Sequence, residues 1–178
     1  MPQWGSAFLP VLTPLLSNGL ARGDILTFDP HAQNEAFNNT ANSYVYEALL
    51  NLNKGKVQPC QADSWTSVPE GFVFKLRKGV KFHEEEPLTA EDVAFSINRA
   101  LHPISQFKTF TAGILGAEAL PNGDVLIRTI NHSPVLLNQL AYLRILNKAW
   151  AEKHGAAAPQ NFVAKEEAYA AKHANGTG

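Results

Sequence analysis

Cys60 is the only cysteine in the 178 residues. An intrachain disulfide and a cysteine-based zinc site are therefore both excluded, and cysteine usage does not fix the redox compartment. Long apolar runs are missing too. No segment approaches the roughly 20 apolar residues that a spanning helix needs. Charge of one sign is also lacking: 15 basic residues face 16 acidic ones, for a net charge of -1. Lys and Arg are scattered and never interleave with stacking aromatics, which argues against a nucleic-acid partner. Gly-x-Ser-x-Gly is absent, as is a glycine-rich loop ending in lysine, so neither a hydrolase elbow nor a phosphate loop is encoded.

What remains is an ordinary globular composition, 45% hydrophobic and 17% charged, in which strand and helix patterns alternate with short polar connections. That pattern predicts a mixed α/β (α+β) fold. Residues 1–20 stand apart. Phe8 to Leu16 has the apolar character of a signal-peptide centre, but no basic residue precedes it and Pro10 and Pro14 interrupt it. The segment reads as an N-terminal arm or a degenerate signal.

Apolar spacing predicts a helix from Glu35 to Leu50, capped by Asn34, with Asn38, Asn39 and Asn42 on the face away from the apolar stripe. Lys54-Gly55 and Pro69-Glu70-Gly71 mark turns. Phe72, Phe74 and Leu76 alternate as in a half-buried strand, and Val80 and Phe82 resume that alternation. Thr89 followed by Asp92 resembles a capping box for a helix that buries Val93, Ile97, Ala100 and Leu101 and stops at Pro103. Pro121-Asn122-Gly123-Asp124 predicts a hairpin between Gly116–Leu120 and Val125–Ile130. Short helices are expected at Val135–Tyr142, opened by Ser133-Pro134, and at Asn147–His154, closed by Gly155. A last helix is expected at Phe162–His173, capped by Asn161. The chain stops in a glycine-rich segment just after it, which reads as an interrupted polypeptide.

His83 followed by Glu84, Glu85 and Glu86 has the residue types of a metal or acid/base centre. Consecutive residues of an extended segment point to opposite faces, so the three carboxylates do not converge readily. They read instead as a solvated turn between strand and helix. No metal and no cofactor is expected. His102, His132, His154 and His173 read as capping or surface residues, and Trp65 and Trp150 as core anchors. Cys60 follows a proline in a core-like segment and does not read as a catalytic thiol.

The stretch from Leu76 to Ala100, LRKGVKFHEEEPLTAEDVAFSINRA, resembles the signature of the family 5 solute-binding proteins of ABC importers. Phe28-Asp29-Pro30-His31, Tyr46-Glu47-Ala48-Leu49, Gln58-Pro59 with Ser64-Trp65, Lys148-Ala149-Trp150 and Asn175-Gly176-Thr177-Gly178 resemble further motifs of that family, in its order. The resemblance spans about residues 21 to 178 and departs at particular places. Glu84-Glu85-Glu86-Pro87 stands where the family has Asp-Gly-x-Pro, so the easy route to a positive φ is lost. Gln61 stands where a core leucine is expected, and Ser17–Leu20 makes a poor first strand. Family members also continue well beyond residue 178.

The resemblance implies a truncated periplasmic-binding-protein-like fold. Residues 21–45 would begin the ligand-binding lobe, 46–155 would form a small second domain, and 156–178 would return toward the first lobe. It implies a non-enzymatic binding component for a peptide or small polar solute, periplasmic if exported, docking on an ABC permease in the membrane. His31, Gln33, Asn34, Glu35, Asn175 and Thr177 are the expected ligand-side residues, because carboxylates and amides suit the amino group and backbone of a peptide. An incomplete chain would expose apolar surface and self-associate. The alternatives are a hydrolase built on a His/carboxylate site and a non-catalytic interaction module.

Overall fold

The computed structural model describes residues 25–131, 133 and 135–178. The expectations for residues 1–24, for His132 and for Pro134 lie outside these.

A hairpin of β1 (Leu50–Asn53) and β2 (Lys56–Pro59), closed at Lys54-Gly55, precedes the main sheet. That sheet has four antiparallel strands: β3 (Ala62–Val68), β4 (Gly71–Leu76), β5 (Ile114–Ala119) and β6 (Val125–Thr129), in the order β3-β4-β6-β5. Pro69-Glu70 joins β3 to β4. The Pro121–Asp124 turn joins β5 to β6, with the Leu120 N–H donating to the Asp124 carbonyl. Phe74 is paired with Trp65 on one side and Val125 on the other. Phe72, Phe74, Val125 and Ile127 are buried in the main core.

Helix α2 (Ala90–Ala100) contributes Val93, Ile97 and Ala100 to that core. Full burial of a side chain the size of Val or Ile contributes about 1.5–3 kcal/mol. The predicted capping box is present: the Thr89 hydroxyl accepts from the Asp92 N–H and the Asp92 carboxylate accepts from the Thr89 N–H. Asp92 Oδ1 also accepts from the Lys148 N–H at 2.7 Å, tying α2 to the start of α5 (Lys148–Lys153). Thr89→Ala is expected to cost about 1 kcal/mol, read as a reduced denaturation midpoint with an unchanged slope.

The short helices α3 (Lys108–Thr111) and α4 (Val135–Leu140) cover the main core. Asn147 caps α5 by accepting from the Trp150 N–H.

Several expectations are corrected. The first helix, α1, runs only over Ala36–Ser43, and its cap is Glu35, whose carboxylate accepts from the Phe37 and Asn38 N–H groups. The apolar residues that suggested a longer helix lie in an irregular and extended segment, where Ala48 bridges Arg144 and the Ile145 N–H donates to the Glu47 carbonyl. Asn38 and Asn42 are buried rather than solvent-facing, and Asn38 Oδ1 accepts from the Leu26 and Thr27 N–H groups.

Val80 and Phe82 do not continue the sheet. Their backbones close a tight loop with Leu88 and Glu86, marked by the single bridge Lys81–Pro87. The last helix shrinks to one 3-10 turn, Tyr169–Ala171. Lys165 adopts φ 55°, and both the Gln160 side chain and the Asn161 N–H bond to Glu166, folding the segment into a loop.

Two distant stretches pack together beside the sheet. The Phe28 N–H donates to the Ala171 carbonyl and the Gly178 N–H to the Val45 carbonyl. Phe28, Val45, Tyr46 and Leu146 form a small core of their own. Phe95 of α2 packs against it and also against Trp150, Ala151, Ala156 and Ala170.

Candidate functional site

The six sequence-nominated residues fall into two groups, on either side of α1. His31, Gln33, Asn34 and Glu35 precede that helix, while Asn175 and Thr177 lie against the segment that follows it. Eight helical residues separate such ends by about 12 Å. Asn34 and Glu35 are exposed and Gln33 is partly so. Asn34 Oδ1 accepts from the Asn39 amide, and the Glu35 carboxylate caps the helix.

His31, expected on the ligand side, is fully buried, and both of its ring nitrogens bond within the fold. Arg99 Nη1 lies 3.1 Å from His31 Nδ1, and His31 Nε2 lies 3.1 Å from the Arg144 carbonyl. A guanidinium only donates, so Nδ1 is the acceptor and the proton sits on Nε2. Arg99 places all five N–H groups. Nη1 and Nη2 grip the Asp29 carboxylate at 2.8 and 2.6 Å, and Nε and Nη2 donate to the Ala156 and Ala158 carbonyls. The Asp29 carboxylate also accepts from the His31 and Gln160 N–H groups. Burial pushes the Asp29 carboxyl up, but the Arg99 guanidinium and the Gln160 N–H outweigh it and hold it below its ordinary value. Burial, with the same guanidinium beside it, lowers His31 to about 3.

The second group closes a cradle around residues 175–178. Asn175 is buried, and its Oδ1 accepts from the Glu84 N–H. The His83 N–H donates to the Gly176 carbonyl, and His83 Nδ1 accepts from the Gly176 N–H. Gln61 Nε2 donates to Thr177 Oγ1 at 2.7 Å, and Thr177 in turn donates to Glu47 at 3.0 Å. Gln61, standing where a core leucine is expected, is thus a fully buried polar link.

The acidic stretch is a turn, and its carboxylates diverge: Glu85 pairs with Lys81 at 2.9 Å and Glu86 accepts from Asn175. Glu85 takes φ 72°, so the turn keeps a left-handed residue even without glycine. Between this turn and the Trp150–Tyr169 rings lies an open groove of about 650 Å³. Tyr169 and His173 line it, and Tyr169 stacks between His154 and His173 with centroids 4.1 and 3.9 Å apart.

A Cβ added to Gly176 would stand 2.0 Å from the Val45 carbonyl oxygen. Gly176→Ala is therefore expected to free residues 175–178 from the cradle. Amide exchange at Gly178 should become fast while β4 and β6 keep their protection; unchanged protection at Gly178 would contradict the contact.

The comparisons with known proteins agree with this architecture. The probable deoxycholate-binding periplasmic protein YgiS of Escherichia coli is 35% identical over 108 residues, 55% of this chain and 20% of that protein. Among solved structures, MoaA from A. tumefaciens in complex with mannopinic acid superposes with a TM-score of 0.67 at 30% identity, covering 74% of this chain and 29% of that one. OppA of Haemophilus influenzae in complex with the peptide RPPGFSPFR gives 0.69 at 23% identity over 79% of this chain and 32% of that one, a likeness of fold. The chain thus spans from a fifth to a third of the length of these relatives. The model of the bacterial extracellular solute-binding proteins, family 5 (middle region), matches residues 56–178, and the chain belongs to that family.

Proposed function

We propose that this chain is part of the solute-binding component of an ABC importer, taking up a peptide or another small polar solute and delivering it to a membrane permease. It would act in the periplasm and catalyse no reaction. The observation that carries the reading is the way residues 25–46 and 156–178 meet. The Phe28–Ala171 and Val45–Gly178 hydrogen bonds bring them together across more than a hundred residues of intervening chain. That is the geometry expected where a lobe begun at 21–45 is rejoined at 156–178 around an inserted domain at 46–155. Gln33, Asn34 and Glu35 then lie on the accessible edge of the lobe and offer amide and carboxylate groups to a solute. Asn175 and Thr177 act by shaping the lobe's floor, since both are engaged internally.

Calorimetric titration of the purified chain with di- to pentapeptides tests this. Saturable heat with a defined stoichiometry, weakened in Gln33→Ala/Glu35→Ala, is the expected result. A silent titration across peptides and other small polar solutes would remove the reading. Turnover of a peptide, lost in His83→Ala with the circular dichroism unchanged, would replace it with the hydrolase alternative. Light scattering is expected to show self-association at high concentration through surface that includes Leu115, Ile130 and Val135, each more than half exposed.

A further inference from the structure

Asp29, His31 and Arg99 join three parts of the chain that are far apart in sequence. Asp29 and His31 lie in the turn before α1, Arg99 lies in the last turn of α2, and Ala156, Ala158 and Gln160 lie in the returning segment. The turn is held further by Ser105, whose hydroxyl donates to the His31 carbonyl, and by the edge-on ring of Phe107. We propose that this cluster is an acid-released latch: a proton added to His31 Nδ1 detaches residues 27–32 and 156–160 from α2 while the four-stranded sheet stays folded.

The reason is a conflict of donors. Nδ1 accepts from Arg99 Nη1 only while its lone pair is free. Once protonated it presents an N–H to an N–H, and one cation to another, 3.1 Å away in a buried site. Neither partner can turn away, because Arg99 is committed to Asp29, Ala156 and Ala158, and His31 Nε2 to the Arg144 carbonyl. The charged groups facing the ring are few. Asp29 favours the imidazolium, while burial and Arg99 oppose it and prevail. Arg144 presents only its carbonyl; the charged and titratable groups coupled to its guanidinium are Glu47, Cys60 and Tyr142. Tyr46 is buried, and its hydroxyl is pushed up by burial and by Asp29, so it stays neutral throughout. Ser105, Phe107 and the carbonyls of the returning segment carry no charge.

The sign follows from linkage. The latched ring titrates near 3 and the released ring at its ordinary 6.5. The released state therefore binds the extra proton between these values, and latching is fully present above 6.5 and lost as pH falls toward 3. One proton corresponds to about a tenfold rise in the opening constant for each pH unit across that window.

Hydrogen exchange on the full chain at pH 7, 6, 5 and 4, corrected for intrinsic rates, reads this directly. The amides of Phe28, His31 and Gln160 are expected to open about tenfold more per pH unit below 6.5, while those of β4 and β6 do not follow. In His31→Gln, which offers a donor and an acceptor but does not titrate, the slope should vanish. A flat profile, an equal slope in the sheet amides, or a slope surviving in His31→Gln would each overturn the latch. If that variant does not fold, the imidazole nitrogen resonances of the native chain decide: a neutral Nε2–H ring down to pH 4 is expected, and a folded-state titration near 6.5 would refute it.

Discussion

Arg99→Met is expected to destabilise the protein by about 3–5 kcal/mol, because it removes one partner from a fully buried ion pair. Arg99 and Asp29 side chains are 0% and 1% exposed. Methionine roughly fills the space of the aliphatic stem but leaves a carboxylate in the interior and strips the Ala156 and Ala158 carbonyls of their donors. For a chain of this length that corresponds to a fall in Tm of roughly 6–20 °C. Arg99→Lys should recover only part of the loss, since an ammonium has three donors where five are used and cannot grip a carboxylate in parallel. The double variant Asp29→Leu/Arg99→Met is the decisive arm. With both charges gone, the remaining cost is unmet carbonyls and imperfect packing, so its loss should be well below the sum of the singles. Single-variant losses under about 1 kcal/mol, or strict additivity, would mean that the pair is solvated and that the junction is held by its apolar contacts alone.

The same residue shows where the sequence was legible. One stripe of α2 is apolar and legible: Val93, Ile97 and Ala100 are buried, and Leu101 is half-buried against the same core. The second stripe, Asp92, Ser96 and Arg99, is polar, and polar residues at i, i+4 and i+7 read as a solvent face. In the fold it is the other inward face. Asp92 accepts from the Lys148 N–H, Ser96 Oγ accepts from the Leu146 N–H, and Arg99 holds Asp29. Each of these partners is supplied by a distant segment, so local pattern could not reveal it. The one hint was the presence of an arginine in a last helical turn alongside an early Asp-Pro-His.

The burial of His31 is illegible in the sequence for the same reason. A histidine beside Asp-Pro looks like an exposed loop residue until a guanidinium arrives from 68 positions away. Turns and capping, which depend on near neighbours, fared better: Lys54-Gly55, Pro69-Glu70, Thr89 with Asp92 and Pro121–Asp124 all stand where their chemistry put them. The lengths of the first and last helices did not. Tertiary pairing of Glu47 and Ala48 with residues 144–145, and the local closure of 160–166 by Glu166, override the helical spacing there. The acidic triplet is legible as a turn, but its second role, holding Asn175 through the Glu84 N–H and the Glu86 carboxylate, again depends on a remote segment.

Gly71→Ala should be the other severe substitution. Gly71 opens β4 at φ 149° and pairs with Arg128 of the neighbouring strand. A Cβ there would stand 2.1 Å from the Ile127 carbonyl oxygen and 3.1 Å from the Thr129 nitrogen. All of these are backbone atoms of β6, and the Thr129 N–H is itself bonded to the Glu70 carbonyl at 3.0 Å. No side-chain rotation relieves the clash, so the two central strands must separate locally, and the core pairs Phe72–Ile127 and Phe74–Val125 lie next along that ladder. Overpacking of this kind costs about 1–3 kcal/mol, and a φ that essentially only glycine adopts adds about 1–3 kcal/mol. Gly79→Ala separates the two contributions. Gly79 has φ 79° but nothing within 4 Å of its Cβ position, so it should lose only the conformational part. Urea denaturation of both variants gives the comparison. Equal losses at the two sites would show that the β4–β6 pair has room for a methyl group, and that the close approach of these strands does not set their register.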